Sequence, residues 1–424
     1  METIQIKQTI TQNQEQKVEF EVPDEGLYSI ELTASSPTSW NEKENEAVMA
    51  RLYINDTHHQ DIVLFYGDRL FTYQRLLGEL CEGNYTLSIE FFNPLAQASS
   101  AWIEKVNIKK LELQGNDLLA AKFSPKLYGR SVYSNYDNLY TDTPLEMIYF
   151  IEDWEHGKVI EYQMVFSHED EGTPAKLLMA KWGRLLDIEY MARVYLTEDL
   201  NVDHVEYQGP HHKIMSYSKP ILEGKRPVLQ TATCNGNFTD RITSEYCFFF
   251  LPSYEWKKDE EPREIVMEKF PYMNEMMQWE AERQLANGLS DINIIKDLKQ
   301  YLFIQSSVWE VSLGQPTIDI ACKLSGENRW HSSSLDKKQI GHFPPGYTGP
   351  YNHFGTAILL PENKNHTDIK EIKVRLINEE ISSVVVKDLK VLFMNERSEI
   401  ELKCQVNFTA ELTRNQSEKT VWNK

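Results

Sequence analysis

The sequence predicts a mainly β protein built from more than one domain, and three observations predict it. Hydrophobic and polar residues alternate over many short runs, Gly- and Pro-bearing turns separate those runs, and 424 residues exceed one ordinary core. The expected order is an N-terminal antiparallel β-sandwich over residues 1–115 and a β-rich central domain over 116–258. A short helical segment over 259–304 follows, and then a C-terminal β-rich domain over 305–424, free to pack with the central one.

In the first region Val18, Phe20 and Val22 alternate with polar neighbours, and Pro23-Asp24-Glu25-Gly26 makes a turn. Tyr28, Ile30 and Leu32 repeat the alternation, as do Tyr85, Leu87, Ile89 and Phe91. Period-two spacing buries one face and wets the other, which is the signature of an antiparallel sandwich. Tyr66-Gly67-Asp68 and Glu82-Gly83-Asn84 are further turn signals.

Two stretches here, Val18-Glu19-Phe20-Glu21-Val22-Pro23-Asp24-Glu25-Gly26-Leu27-Tyr28 and Gly78-Glu79-Leu80-Cys81-Glu82-Gly83-Asn84-Tyr85-Thr86-Leu87, carry a likeness. The pattern resembles the carbohydrate-binding-module type of β-sandwich, with strand, turn and Gly-x-Tyr early, then Leu, turn, Gly and strand late. The resemblance implies a sandwich that holds sugar on aromatic side chains and nearby polar groups. No site motif of such modules is present, so it assigns no binding residues.

In the central region Met147–Trp154, the turn Glu155-His156-Gly157 and Lys158–Phe166 read as a hairpin. Cys247-Phe248-Phe249-Phe250-Leu251 reads as a strand buried on both faces. Beyond residue 259 the period changes. Pro271 suits a first helical turn, and Met273, Met277, Ala281 and Leu285 recur along one stripe. Gly288 is expected to end that helix and Ser290-Asp291 to cap a second, striped by Ile295, Leu298 and Leu302. Ile372, Val374 and Leu376 then alternate, and Val384–Phe393 is rich in β-branched residues, so strands resume. A Gly- and Pro-rich loop around 341–350 interrupts them.

Composition excludes several functions. The net charge is −20, from 64 acidic and 44 basic residues, so the chain repels phosphate backbones and anionic lipid. No nucleic acid and no membrane is expected as partner, and solubility is the plain consequence of the charge. No run approaches a membrane span and no signal peptide pattern opens the chain, so the expected location is cytoplasmic. Five widely spaced cysteines contain no Cys-x-x-Cys pair, which speaks against a Cys-based zinc site and a disulfide framework. The six Asn-x-Ser/Thr sequons are read as by-products of composition. Walker, Gly-x-Gly-x-x-Gly, Gly-x-Ser-x-Gly and kinase signatures are absent, so no nucleotide cofactor is expected.

The densest candidate chemistry is Ser167-His168-Glu169-Asp170-Glu171-Gly172, with Trp182-Gly183-Arg184 and Asp187-Ile188-Glu189 downstream. Asp187 and Glu189 would share a strand face, and crowded carboxylates shift one another's pKa toward acid–base work. His168, Glu169, Asp170, Asp187 and Glu189 are therefore the catalytic candidates. Their oxygens would also suit Ca²⁺, although the spacing matches no EF-hand; no other cofactor is expected, and the identity of any metal stays open. A solvated hairpin loop and a half-exposed strand explain the same residues without chemistry. Ligand-binding candidates are Trp182 and Arg184, the turn histidines His211 and His212, and Trp330, His331 and Tyr347. Rings beside Arg and neutral His can stack on sugars and bond hydroxyls, as can Trp40, Tyr66 and Tyr73, but each set also reads as a self-anchored loop.

Three readings follow: a glycan-recognising multidomain sandwich protein, a polysaccharide hydrolase or lyase using the central carboxylates, and a non-enzymatic structural or assembly protein.

Overall fold

The computed structural model describes residues 2–40, 47–92, 96, 98–130, 143–169, 173–218, 222–286, 291, 294–309, 318–347, 349–377 and 381–424. Strand forms 53% of the chain against 13% helix, so the mainly β expectation holds. The chain divides into two compact units. The first comprises 1–166 and 187–255, the second 167–186 and 256–424.

The first unit opens with two four-stranded antiparallel sheets. One orders Glu2–Thr11, Ser100–Lys110, Gly26–Ser35 and Phe71–Leu80; the other orders Glu15–Val22, Gly83–Phe92, Met49–Ile54 and Thr57–Val63. Val18, Phe20 and Val22 are buried and their neighbours Glu19 and Glu21 exposed, as the alternation requires. Each such side chain taken fully out of water stabilises by about 1.5–3 kcal/mol.

Further along the same unit, a six-stranded sheet runs Lys213–Ser216, Val202–Gly209, Asp187–Thr197, Gly157–Phe166, Pro144–Trp154 and Tyr254–Glu255. The expected hairpin is its centre, with Trp154 opposite Gly157. Gly157 has φ +150, and a Cβ there would lie 2.3 Å from the Leu196 carbonyl oxygen, so only glycine closes this turn beside the next strand. Tyr149, Tyr162, Met164 and Phe166 pack with Leu229, Phe238, Phe248 and Phe250 into one core. A helix not anticipated from the sequence, Gly115–Phe123, contributes Ala120 and Phe123 to it. The edge strand Lys213–Ser216 exposes Ile214 and Met215; it is only four residues long.

The second unit has two four-stranded sheets. One orders His353–Leu359, Tyr301–Trp309, Ser383–Met394 and Ile400–Thr413; the other orders Trp330–Ser332, Ile318–Leu324, Ile369–Leu376 and Glu418–Asn423. Ile372, Val374 and Leu376 face the core between them, as their spacing implies. Helix Ala175–Trp182, also unanticipated, is built from strong helix formers and ends on Gly183, a left-handed cap whose N–H donates to the Met179 carbonyl.

The helical stripe of Met273, Met277 and Ala281 is buried on helix Tyr272–Ala286 as expected, but Leu285 is 59% exposed. The second helix expected around Ile295, Leu298 and Leu302 does not form. Asp297 caps a single 3₁₀ turn, Leu298–Gln300, and the chain then enters strand Tyr301–Trp309. The run Tyr-Leu-Phe-Ile-Gln-Ser-Ser-Val is buried throughout, paired on both sides, so tertiary pairing overrides a helical spacing of three leucine-type residues. The expected helix boundaries at Gly288 and Ser290 lie outside the described residues.

These assignments separate two leucines. Leu302→Ala should cost about 2–5 kcal/mol in urea denaturation, because Leu302 is fully buried in a strand. Leu285→Ala should stay within about 0.5 kcal/mol of wild type; a helical arrangement of 295–302 on the surface would reverse the first result.

Candidate functional site

Two of the expected catalytic carboxylates come together in the first unit, at the start of strand Asp187–Thr197. Asp187 lies opposite Phe166 and Glu189 opposite Met164, so both carboxylates sit at the end of the face that carries the core. Asp187 is 3% exposed, while Glu189 is only partly buried.

Glu189 is the hub of a polar cluster. Its carboxylate accepts from Gln208 Nε2 of the neighbouring strand, and Oε2 lies 3.8 Å from His212 Nδ1. The Asn235 amide donates to His212 Nε2 across 2.9 Å, which leaves the ring proton on Nδ1, the side of Glu189.

Backbone geometry aims these groups. His212 belongs to the turn Pro210–His212 between strands Val202–Gly209 and Lys213–Ser216. Both His211 and His212 are left-handed, with φ of 62° and 55°. That conformation costs a non-glycine residue roughly 1–2 kcal/mol, and such costs gather at functional positions. On the other flank, a bond from Ala232 N to Asn237 O closes a loop carrying Gly236 at φ +58. A Cβ on Gly236 would lie 2.8 Å from Asp187 Oδ2 and 3.0 Å from Glu189 Cγ, so the missing side chain lets the loop reach the carboxylates.

The remaining catalytic candidates belong to the second unit or fall outside the described residues. His168 is buried, its Nδ1 2.8 Å from Ser167 Oγ. Near it Glu280 takes two bonds from Arg283, at 2.7 and 2.6 Å, and one from Gln284 at 2.9 Å. Burial opposes ionisation of Glu280, but the positive field of His168 and the Arg283 and Gln284 bonds outweigh it, and its pKa falls. Glu169 donates its backbone N–H to the Leu185 carbonyl, and Asp170 lies outside the described residues.

Among the ligand-binding candidates, Arg184 is an interior residue rather than a surface clamp. Its Nε donates to Glu264 Oε1 at 2.9 Å, and Glu264 Oε2 accepts from Gly355 N at 3.1 Å. Trp182 lines a small cleft with Glu268 and Gln305. Trp182 Nε1 and Gln305 Oε1 are buried there with no hydrogen-bond partner among the described residues. Burial raises the Glu268 pKa, against a 2.6 Å bond from Gln305 Nε2 and the charges of Lys390 and Lys269. His211 is exposed. Trp330 and His331 are neighbours on one strand, with Lys373 Nζ 4.3 Å over the Trp330 ring and Glu327 2.8 Å from His331 Nε2. Tyr347 does not join them: it is 4% exposed, stacked on Phe354 in the core, and its hydroxyl donates to the Tyr351 carbonyl. Tyr73 is likewise interior, edge-on to Phe65 and Phe71.

Sequence reasoning missed Gln208, Asn235 and Gly236. The Asn-Gly pair was a readable turn signal, but nothing local linked it to Glu189.

No family model matches the chain, and no curated protein matches it either. Similar solved structures include the CBM36-1 domain of a multidomain xylanase from the hindgut metagenome of Trinervitermes trinervoides. It shows 17% identity over 27% of this chain and 89% of that one, with a TM-score of 0.20. A carbohydrate-binding module of Cellvibrio mixtus lichenase 5A, in complex with cellotriose, shows 16% identity over 26% of this chain and 98% of that one, with a TM-score of 0.20. A ruminal GH26 endo-beta-1,4-mannanase shows 11% identity over 30% of this chain and 28% of that one, at the same TM-score. Among the described residues no helix is long and apolar enough to cross a membrane.

Glu268 gives a pH test. Its raised pKa means that the folded state holds the proton longer than the unfolded state, so stability is lost as pH rises from the ordinary carboxylate range through the folded pKa. Glu268→Gln should remove that decline and raise Tm at neutral pH, by thermal scans across acid to neutral pH; an unchanged slope would contradict the assignment.

Proposed function

We propose that this protein recognises glycans through Asp187, Glu189, Gln208, His212 and Asn235. The observation that carries the reading is the arrangement around Glu189, where a carboxylate, two amides and an imidazole converge from separate strands, a turn and a loop. A sugar hydroxyl both donates and accepts, and a patch of mixed carboxylate, amide and imidazole groups offers both roles over a short span. The left-handed histidine turn and the close glycine loop fix those groups before any ligand arrives, which reduces the ordering cost of binding.

A second reading, hydrolysis or lyase chemistry on a polysaccharide, is favoured by the pairing of Asp187 with Glu189. One acid is buried and the other partly open on the same strand face, and unequal environments separate the roles of acid and base.

A glycan array probed with the full chain tests the first reading. Wild type should bind a discrete set, and Glu189→Ala or His212→Ala should weaken it by about 10- to 100-fold, the loss of a hydrogen bond to a charged group. No binding anywhere between about pH 5 and 8 would remove the proposal. Release of reducing or unsaturated ends from a polysaccharide panel tests the second. Asp187→Asn and Glu189→Gln should abolish any turnover, and binding without turnover in wild type leaves recognition alone standing.

A further inference from the structure

We propose that His58, Asp61 and Cys247 form a binding site for a zinc-class divalent cation. The three residues are distant in sequence, with Cys247 lying 186 positions beyond Asp61, yet one ligand atom of each falls within 4.8 Å of the other two. Among the described residues this is the grouping of His, Cys and carboxylate that has metal-binding dimensions.

The site is built from two strands of the first unit. His58 and Asp61 lie on strand Thr57–Val63, and Cys247 begins strand Cys247–Phe248. His58 Nε2 stands 3.1 Å from Asp61 Oδ2, close to the roughly 3.3 Å that separates two N/O ligands around tetrahedral zinc. The thiol Sγ lies 3.7 Å from the His59 carbonyl oxygen, a weak contact that a metal–thiolate bond would replace. The donor set of imidazole, carboxylate and thiolate is borderline-soft, which selects zinc-class ions over Ca²⁺ or Mg²⁺.

The surroundings support the ligands. Asp61 Oδ1 accepts from Arg51 Nε at 2.7 Å, and Oδ2 accepts from Cys247 N at 3.0 Å, so the carboxylate is held with Oδ2 toward His58 and the cysteine. The Arg51 charge does not forbid a cation. Burial works against it, while Asp61 and, further off, Tyr53 and Glu245 act to hold it charged. Counting Asp61, Glu245 and a thiolate against Arg51 leaves two negative charges, which one divalent ion neutralises. Asp61 is fully buried and Cys247 is buried, while His58 keeps 29% of its side chain exposed, giving an entry path and a fourth position open to water.

The absence of a Cys-x-x-Cys pair speaks against zinc at the sequence level, but that argument concerns local motifs. Here the fold supplies the proximity.

The test is an anaerobic titration of chelator-stripped full chain with Co(II). Wild type should take up one equivalent with a thiolate-to-metal charge-transfer band that Zn(II) bleaches. Saturation at about 100 times Kd should raise Tm by roughly 5–10 °C. Cys247→Ser should lose the band, and His58→Gln should weaken binding by at least about 100-fold. No thiolate band in wild type, or a band that survives Cys247→Ser, overturns the proposal. Should Cys247→Ser not fold, His58→Gln decides: a Tm shift equal to wild type overturns the site, and its loss upholds it.

Discussion

A carboxylate carried into a β-rich interior has to meet a cation or a set of donors, and that requirement organises both units of this acidic chain. Asp61 meets Arg51 and His58, Glu161 meets Arg193, and Glu264 meets Arg184. Glu280 meets Arg283, and Asp319 meets Arg375 and the Ser333 hydroxyl. Deleting one member of such a pair typically costs about 3–5 kcal/mol, because the survivor remains buried and charged. The surplus of acids over bases therefore resides mostly outside these pairs, and the interior is nearly balanced. Glu189 differs in kind. It is met by the Gln208 amide and the His212 imidazole, drawn from a neighbouring strand and a turn.

Whatever depended on neighbours along the chain was legible in the sequence. Val18, Phe20 and Val22 announced a one-sided strand, and the turn at Gly157 announced its hairpin, because alternation and turn chemistry act over a few residues. Leu302 was misread because strand Tyr301–Trp309 is buried on both faces and loses the alternation that marks a strand. Helix Ala175–Trp182 was missed because its eight residues sit in a region whose flanks read as strands.

The candidate site was half legible for the same reason. The shared face of Asp187 and Glu189 follows from a spacing of two. The partnership of Glu189 with Gln208, and of His212 with Asn235, depends on strand pairing and on a loop that returns from 23 residues away. His168 and Arg184 sit close to Asp187 in sequence but belong to the other unit. Asp61 and Cys247 show the converse, a contact with no local trace at all.

The chain crosses from the first unit to the second after Phe166, returns at Asp187, and crosses again after Glu255. Phe166 and Asp187 are opposed rungs of one antiparallel ladder, so the excursion leaves and re-enters at a single point. Linear dissection therefore cannot isolate either half intact. A fragment ending at 255 retains an orphaned helix, Ala175–Trp182, whose companions begin at 256, and a fragment starting there lacks it. The first half could be isolated only by excising 167–186 and rejoining the ends, while the second would need that peptide restored in trans.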